Sequence, residues 1–250
     1  MARRLVRPLI CLVTGASFAC ILAAYDVVPD VKPLVQVFEA RYRTAHTLQA
    51  TFHERYTENS RVVRAESGTA YFRRPGKMRW EYEYPEKNLF LVDGKTAWFY
   101  VPADHTATRV PAKMSVDWRT PLALLAGEMK ISRVCSRVQL AAREKTESPG
   151  NVVLYCEVLG AGVKSQKSNS PDTATQAGET GEAVFFEIVR STGELIRVLV
   201  RDSGGVAIEF QFSNWKTDPQ VSDALFRFSP PPGVAIVNGE LPAGSSGVNP

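Results

Sequence analysis

The chain has 250 residues, of which 44% are hydrophobic and 22% are charged, with 30 basic and 26 acidic side chains. A chain of this length can bury a core without staples, and its composition is that of a globular protein, not of a disordered or fibrous one. Its net charge of +4 is too small for the basic surface with which nucleic-acid-binding proteins neutralise phosphates.

The first 24 residues are predicted to be a secretory signal peptide. Three arginines within the first seven residues form a basic start. Residues 9–24 are uncharged, mostly apolar and too short to span a bilayer comfortably. A lipidation site at Cys20 is the alternative, although Phe18 before it fits such a site poorly. Without the three arginines the net charge falls to +1.

A helix is predicted over residues 30–46. Asp30 can cap its start, and Pro33 is tolerated in its first turn. Its apolar residues recur with helical spacing and form a stripe that requires a sheet to pack against. These residues are Val31, Leu34, Val35, Phe38, Tyr42 and Ala45.

Ten strands are predicted after this helix, separated by Pro, Gly, Asn and Asp. Asp93-Gly94 is a strong signal for a tight hairpin. The predicted strands are Leu48–Tyr56, Ser67–Arg74, Met78–Tyr84, Leu89–Val92, Thr96–Val101, Ile131–Leu140, Val152–Leu159, Ala183–Arg190, Leu195–Asp202 and Val206–Trp215.

A second, short and very apolar helix is predicted within Asp117–Met129. Thr120 can cap it, Pro121 suits the first helical position, and Gly127 suits the stop. Two polar stretches are predicted to be disordered: a loop over residues 163–182 and a tail over residues 238–250. The folded domain is therefore expected to span residues 25–237.

Cys135 and Cys156 lie in segments predicted to be neighbouring strands. In an exported protein the simplest interpretation of such a pair is a disulfide. Two free buried thiols or a redox pair are the alternatives, but a redox pair usually has CxxC spacing.

The fold is predicted to be mainly β, with a large curled antiparallel sheet of about ten to eleven strands that does not close fully. A sheet of this size must bury one face, and only a few helical segments are available to cover it. The expected result is a concave apolar surface with a partial lid, a geometry that suits a hydrophobic ligand.

No motif in the chain predicts catalysis or metal binding. The stretch "DGKT" at Asp93–Thr96 lacks the earlier glycine of a phosphate loop, and the three histidines lack metal-ligand spacing. No serine lies in a GxSxG motif. We therefore expect neither an enzyme nor a cofactor, and a hydrolase with an unrecognised site is a minor alternative.

Arg74 raises a specific question, because strand alternation places it on the same face as Ala70 and Phe72. A guanidinium on an apolar face is costly unless its donors are satisfied. Free carbonyls at the end of a lid helix can accept these bonds, and Asp117–Met129 is our candidate for that helix. Pairing with a nearby glutamate, or access to solvent past Pro75, is the alternative.

Three stretches of the chain resemble the periplasmic lipoprotein carrier (LolA) family. They are "SGTAYFRRPGKMRWEYEYP", "LVDGKTAWFYVP" and the closing "FRFSPPPGVAIV". Their order and spacing agree with the family over most of Leu48–Val237. The resemblance implies an unclosed β half-barrel with helices as a lid over a hydrophobic cavity, and a non-enzymatic carrier activity.

The resemblance also implies partners and roles. The carrier would take triacylated lipoproteins from an inner-membrane lipoprotein-releasing ABC transporter to an outer-membrane receptor, as a monomer in the periplasm. Arg74 would be the latch that holds the empty carrier shut. Met78 replaces the family's usual aromatic residue at the transporter contact. Because relatives of this shape also serve as lipid transporters or envelope sensors, a sensor or assembly module that binds peptide is the alternative.

The wall of the predicted lipid-binding cavity is formed by large apolar residues of the strands and of the second helix. Ordinary core packing is the alternative for each, and alternation over residues 89–92 is ambiguous because both faces are apolar. The predicted wall comprises Phe52, Phe72, Trp80, Leu89, Leu91, Trp98, Tyr100, Leu122, Leu124 and Leu125.

Overall fold

A computed structural model describes residues 30–112, 122–159, 183–202, 204–239 and 241. Within these residues the chain forms two α-helices and twelve strands. They are α1 (Lys32–Arg43), β1 (Thr47–Glu58), β2 (Arg61–Arg73), β3 (Lys77–Tyr84), β4 (Leu89–Val92), β5 (Thr96–Val101), β6 (Thr106–Pro111), α2 (Ala123–Ala126), β7 (Cys135–Leu140), β8 (Asn151–Val158), β9 (Ala183–Val189), β10 (Leu195–Arg201), β11 (Val206–Thr217) and β12 (Ala235–Asn238).

All twelve strands belong to one open sheet, in the order β12-β6-β5-β4-β3-β2-β1-β11-β10-β9-β8-β7. Two antiparallel meanders, β1 to β6 and β7 to β11, meet where β1 pairs with β11. Among these strands only β12 runs parallel to its neighbour, β6. Strands β7 and β12 lie at the two edges and do not pair with each other. The predicted mainly β, unclosed antiparallel sheet is thereby confirmed.

Each of the ten predicted strands is present, and the two additional strands have weak sequence patterns. In β6 the buried residues Ala107 and Val110 lie three positions apart, so the strand lacks the alternation that marks a half-buried strand. Strand β12 has four exposed residues and depends entirely on its pairing with β6.

Alternation along the central strands defines an inner face, which the helices cover, and an outer face. On β1 the buried residues Leu48, Ala50 and Phe52 point inward. Gly68 of β2 is required by a close approach between strands, because a Cβ atom there would lie 1.8 Å from the carbonyl oxygen of Glu81. A side chain at this position would therefore force β2 and β3 apart.

Helix α1 is shorter than predicted. It begins at Lys32, with Val31 at the N-cap position, and ends at Arg43. Asp30 still contributes, because its carboxylate accepts a hydrogen bond from the Lys32 N–H at 3.0 Å. Pro33 lies in the first turn, where its missing N–H costs nothing.

Only part of the predicted second helix lies within the described residues. Helix α2 covers Ala123–Ala126, with Gly127 at its C-cap, and residues 117–121 lie outside the description. The predicted signal peptide (1–24), the loop (163–182) and most of the tail also lie outside it, although β12 continues to Asn238. Among the described helices, none has the length and apolar character needed to cross a membrane.

Cys135 and Cys156 form a disulfide that joins the edge strand β7 to β8. Their Cα atoms are 5.3 Å apart, and both residues are buried on the inner face. The bond therefore fixes the end of an edge strand that has a pairing partner on one side only.

A charged network crosses the outer face of β9, β10 and β11. Glu187 is 1% exposed and accepts hydrogen bonds from Arg197, from the Asn151 side chain and from the Glu147 backbone. Arg197 also contacts Glu209 at 3.3 Å. These bonds hold the connection between β7 and β8 against the sheet.

Candidate functional site

The centre of the inner face is an aromatic cluster built around Trp80, which is fully buried. The Trp80 ring centroid lies 4.8 Å from that of Phe52 and 5.7 Å from that of Phe72. Phe210 and Phe212 complete the cluster from β11, with centroids 5.3 and 6.1 Å from Trp80. Phe52, Phe72 and Trp80, predicted as cavity wall, are therefore brought together.

The predicted leucines of the second helix lie in the same buried core. Leu122, Leu124 and Leu125 are each less than 5% exposed and belong to one hydrophobic cluster with Trp80. The end of α2 is tied to the turn between β2 and β3, because the Gly76 N–H donates to the Ala126 carbonyl at 2.8 Å. The inner face is thus covered by helix and strand residues in direct contact.

Four of the predicted wall residues lie on the other face of the sheet, and the prediction was wrong for them. Trp80 pairs with Phe90, so the neighbouring Leu89 and Leu91 point outward. They pair in turn with Tyr100 and Trp98, which face outward as well; the four misplaced residues are Leu89, Leu91, Trp98 and Tyr100.

The outer positions of β4 and β5 are apolar because the C-terminal segment crosses them. The Phe228 ring lies 5.3 Å from both Trp98 and Tyr100. Farther along the sheet, on β2, Arg73 lies over the Phe226 ring, 4.8 Å from its centroid. Since both faces of these strands are covered, alternation alone could not distinguish them.

The sequence prediction missed the inner residues of β4 and β5. Within 89–92 the inward positions are Phe90 and Val92, and on β5 they are Ala97 and Phe99. The alternation of β11, with Ile208, Phe210 and Phe212 buried, was visible in the sequence and could have added that strand to the predicted wall.

The interior is filled by the protein's own side chains in this conformation. Trp80 and Phe210 are 0% exposed, and Phe52 and Phe72 are 1% exposed. Two clefts of about 500 and 330 Å³ that open in the described part both lie on the outer face. Helices α1 and α2, which cover this face, are together called the lid below.

Arg74 joins the turn between β2 and β3 to the end of α1. Its guanidinium donates to the carbonyl oxygens of Tyr42 at 2.9 Å and Arg43 at 2.5 Å. Both belong to the last turn of α1, where carbonyls have no partner within the helix. The predicted type of acceptor is present, but the helix is α1 and not the Asp117–Met129 segment.

The cost of burying the Arg74 guanidinium is only partly offset by its contacts. Burial lowers the pKa of its guanidinium, and the carboxylate of Asp218 opposes this shift. Its Nε is buried and has no hydrogen-bond partner among the described residues. The contact is therefore a directed pair of bonds to a helix end, and no carboxylate of the described segments forms an ion pair with Arg74.

Helix α1 is also anchored to the C-terminal half of the sheet. The Tyr42 hydroxyl accepts a hydrogen bond from the Leu195 N–H at 2.9 Å, and burial raises the pKa of this hydroxyl. Glu39 accepts from the Ile131 N–H at 2.8 Å. The Phe38 ring lies 5.9 Å from Phe186.

Gly193 sets how closely α1 approaches the sheet. Its φ is +71°, and a Cβ atom there would lie 2.4 Å from the Val37 carbonyl oxygen. The turn between β9 and β10 therefore accepts only glycine under α1.

Met78, the predicted partner contact, lies on the inner face. It is 7% exposed and pairs with Phe72 on one side and Val92 on the other. In this conformation its side chain is buried, and the transporter contact that the family resemblance implies for Met78 stays a prediction.

The structure is an open β half-barrel whose apolar inner face is covered by two hydrogen-bonded helices. This architecture defines a class of proteins with a hydrophobic surface under a helical cover. The family model "Outer membrane lipoprotein carrier protein LolA" matches residues 43–148. An outer-membrane lipoprotein carrier protein of Nitrosomonas europaea is 30% identical over 84% of this chain and 91% of its own length. One from Chromobacterium violaceum is 29% identical over 94% of this chain and 100% of its own. The chain belongs to the outer-membrane lipoprotein carrier (LolA) family.

Solved structures with similar folds have low sequence identity. An uncharacterised conserved protein from Thermus thermophilus is 15% identical, with a TM-score of 0.49 over 82% of this chain and 97% of its own. A LolA superfamily protein from Nitrosomonas europaea is 11% identical, with a TM-score of 0.42 over 78% of this chain and 96% of its own.

Proposed function

We propose that this protein is a periplasmic, non-enzymatic carrier that binds the acyl chains of lipoproteins and moves them from the inner to the outer membrane. The observation that carries the proposal is its membership of the LolA family. The apolar inner face and the hydrogen-bonded lid are the features such an activity requires.

The energetics explain why a carrier is needed. Each methylene removed from water contributes about 0.8 kcal/mol, so a protein with several acyl chains leaves a membrane extremely slowly on its own. A carrier must offer a comparable apolar surface. The aromatic cluster and the lid leucines supply that surface once they separate.

Arg74 makes loading reversible in this proposal. Loading requires α1 to move, and this movement breaks the two bonds from Arg74 to Tyr42 and Arg43. Their loss weakens net cargo binding, so that transfer to a tighter-binding receptor is favourable. Without the latch the carrier keeps its cargo.

The test is the transfer of a labelled triacyl-lipoprotein from inner membranes into a soluble complex with residues 25–250, in the presence of the lipoprotein-releasing ABC transporter and ATP. Arg74→Leu is expected to load and then release poorly to outer membranes. Arg190→Leu is the matched control, because Arg190 is exposed on a turn. Failure of the unmodified protein to acquire the label would overturn the carrier function, and normal hand-off by Arg74→Leu would overturn the latch.

The alternative, a sensor or assembly module for peptide partners on the same curved sheet, has a different signature. Protein isolated from cell envelopes would then contain no acylated cargo by mass spectrometry, and its partner would be displaced by a peptide.

A further inference from the structure

The inner face of β1 and β2 is apolar over only part of its length. On β1 the inward apolar residues end at Phe52, and the next inward position is Glu54, which is 2% exposed. On β2 the residue that pairs with Glu54 is Glu66, which is 4% exposed. Two buried carboxylates therefore lie side by side on the face that carries the aromatic cluster.

Both carboxylates are held by hydrogen bonds. The Tyr82 hydroxyl donates to Glu54 at 2.7 Å, and the Arg64 guanidinium donates to Glu66 at 2.9 Å. Such bonds offset the cost of burying a charged group, so the two carboxylates are stable parts of the inner face. We call Glu54, Glu66, Tyr82 and Arg64 the polar band.

Tyr82 marks where the apolar surface ends. Its ring packs edge-on against Phe52, with centroids 5.1 Å apart, and Phe52 packs in turn against Trp80 at 4.8 Å. The hydroxyl of the same side chain bonds to Glu54. The change from aromatic contacts to charged groups is therefore complete within one residue.

The apolar stretch has about the length of one acyl chain. Leu48, which pairs with Phe72 near the end of β2, lies six residue steps from Glu54 on β1. At about 3.3 Å per residue these steps span roughly 20 Å. The hydrocarbon core of a bilayer is about 30 Å thick and contains two layers of chains, so one chain spans about 15 Å. A chain of this length that lies along the strands fits within the apolar stretch, whereas a much longer chain reaches the carboxylates.

The bonds that hold the lid lie at the other end of this stretch. At the turn between β2 and β3, Arg74 donates to the last turn of α1, and the Gly76 N–H donates to the Ala126 carbonyl at the end of α2. This turn follows Phe72, whereas Glu66 lies six residues before Phe72 on the same strand. A chain that enters where these bonds open therefore meets the polar band with its far end.

We propose that the polar band sets the length of acyl chain that the inner face accepts, with Glu54 and Glu66 as the specificity-determining residues. The inference rests on the proposed function, because that function assigns the inner face to acyl chains. Each methylene that leaves water for an apolar contact strengthens binding about fourfold, and one placed against the carboxylates gains no such contact. Chains of about sixteen carbons are therefore bound along their full length, and further carbons add little affinity.

The test is competitive uptake of free fatty acids from phospholipid vesicles, with the bound acids measured by mass spectrometry of the separated protein. In Glu54→Leu combined with Glu66→Leu, the bound ratio of docosanoic to hexadecanoic acid should rise at least about tenfold over the unmodified protein, because two or more further methylenes gain apolar contacts. The ratio of dodecanoic to hexadecanoic acid should not change, since both chains end before the band. Glu83→Leu is the matched control, because Glu83 is an exposed glutamate on the other face of β3.

An unchanged docosanoic ratio, an equal change in both ratios, the same rise in Glu83→Leu, or no bound fatty acid would overturn the role of the polar band. If circular dichroism shows that the leucine variant is unfolded, Glu54→Gln combined with Glu66→Gln takes its place. This variant keeps the size of the side chains, and its docosanoic ratio should rise about fourfold; an unchanged ratio would again refute the proposal.

Failure of this inference can be distinguished from failure of the carrier function. Fatty acids need no transporter, so their ratios are measured independently of lipoprotein transfer. A protein that acquires labelled lipoprotein but shows an unchanged ratio in the variants refutes only the role of the band. A protein that acquires no labelled lipoprotein refutes the carrier function.

Discussion

Replacing Arg74 with leucine removes the bonds that hold the end of α1. Hydrogen bonds from a charged donor contribute about 1.5–3 kcal/mol each. Arg74 is half-buried, so the lower value applies, and its two bonds give about 3 kcal/mol. Leucine recovers part of this because it needs no desolvation. We therefore expect opening of α1 to become easier by about 2 kcal/mol.

Native-state hydrogen exchange measures this directly. The backbone amides of residues 38–43 are protected by α1, and their exchange should be about 30-fold faster in Arg74→Leu than in the unmodified protein. Amides at the centre of β9 and β10 should change much less, because these strands do not depend on the latch. This contrast separates local opening of the lid from global destabilisation.

Arg190→Leu serves as the control, since it removes an exposed guanidinium of the same kind. If Arg74→Leu and Arg190→Leu exchange equally at residues 38–43, Arg74 does not restrain the lid. If all amides of Arg74→Leu accelerate together, the residue supports the whole fold and the latch argument fails.

Three further predictions concern stability. Replacing Cys135 and Cys156 together with alanine should lower the unfolding free energy by about 3 kcal/mol, measured by urea denaturation against the oxidised unmodified protein; an unchanged midpoint would contradict this. Glu187→Gln should cost about 3 kcal/mol in the same assay, because Arg197 loses the nearer and more buried of its two carboxylate partners and keeps only Glu209; a loss below about 1 kcal/mol would show that the network adapts. Backbone N–H groups lower the pKa of Asp218, so its stabilising effect is present above its unfolded pKa, near 4, and is lost as pH falls through the lower folded value. The difference in unfolding free energy between the unmodified protein and Asp218→Asn should therefore shrink on acidification below about pH 4, and a constant difference would refute this.

The strands of this protein could be predicted because period-two alternation is a local property. The apolar residues of a half-buried strand alternate with polar ones and so indicate its inner face. Leu48, Ala50 and Phe52 of β1 are an example. Helix α1 was predictable for the same reason, with period 3.6. The Arg74 acceptor type was also predictable, since free carbonyls at a helix end are a general property of helices.

The sequence of β4 and β5 could not show which face of the sheet their large residues occupy, because this depends on segments that are distant along the chain. The outer face of β5 is covered because the Phe228 ring, more than 120 residues later in the chain, packs against Trp98 and Tyr100. A strand covered on both sides carries no alternation from which to choose. The sequence prediction therefore selected Trp98 and Tyr100 for the inner wall, when Phe90 and Phe99 occupy it.

The sequence alone determined the class of fold, the ten predicted strands and the arginine that follows β2 and bonds to a helix end. Each of these depends on neighbours along the chain. The tertiary structure decided which helix Arg74 holds, which residues line the interior, and that side chains fill it when the lid is closed. These depend on distant segments meeting in space. The Tyr42 and Arg43 carbonyls lie about thirty residues before Arg74, and no spacing rule distinguishes them from those of α2.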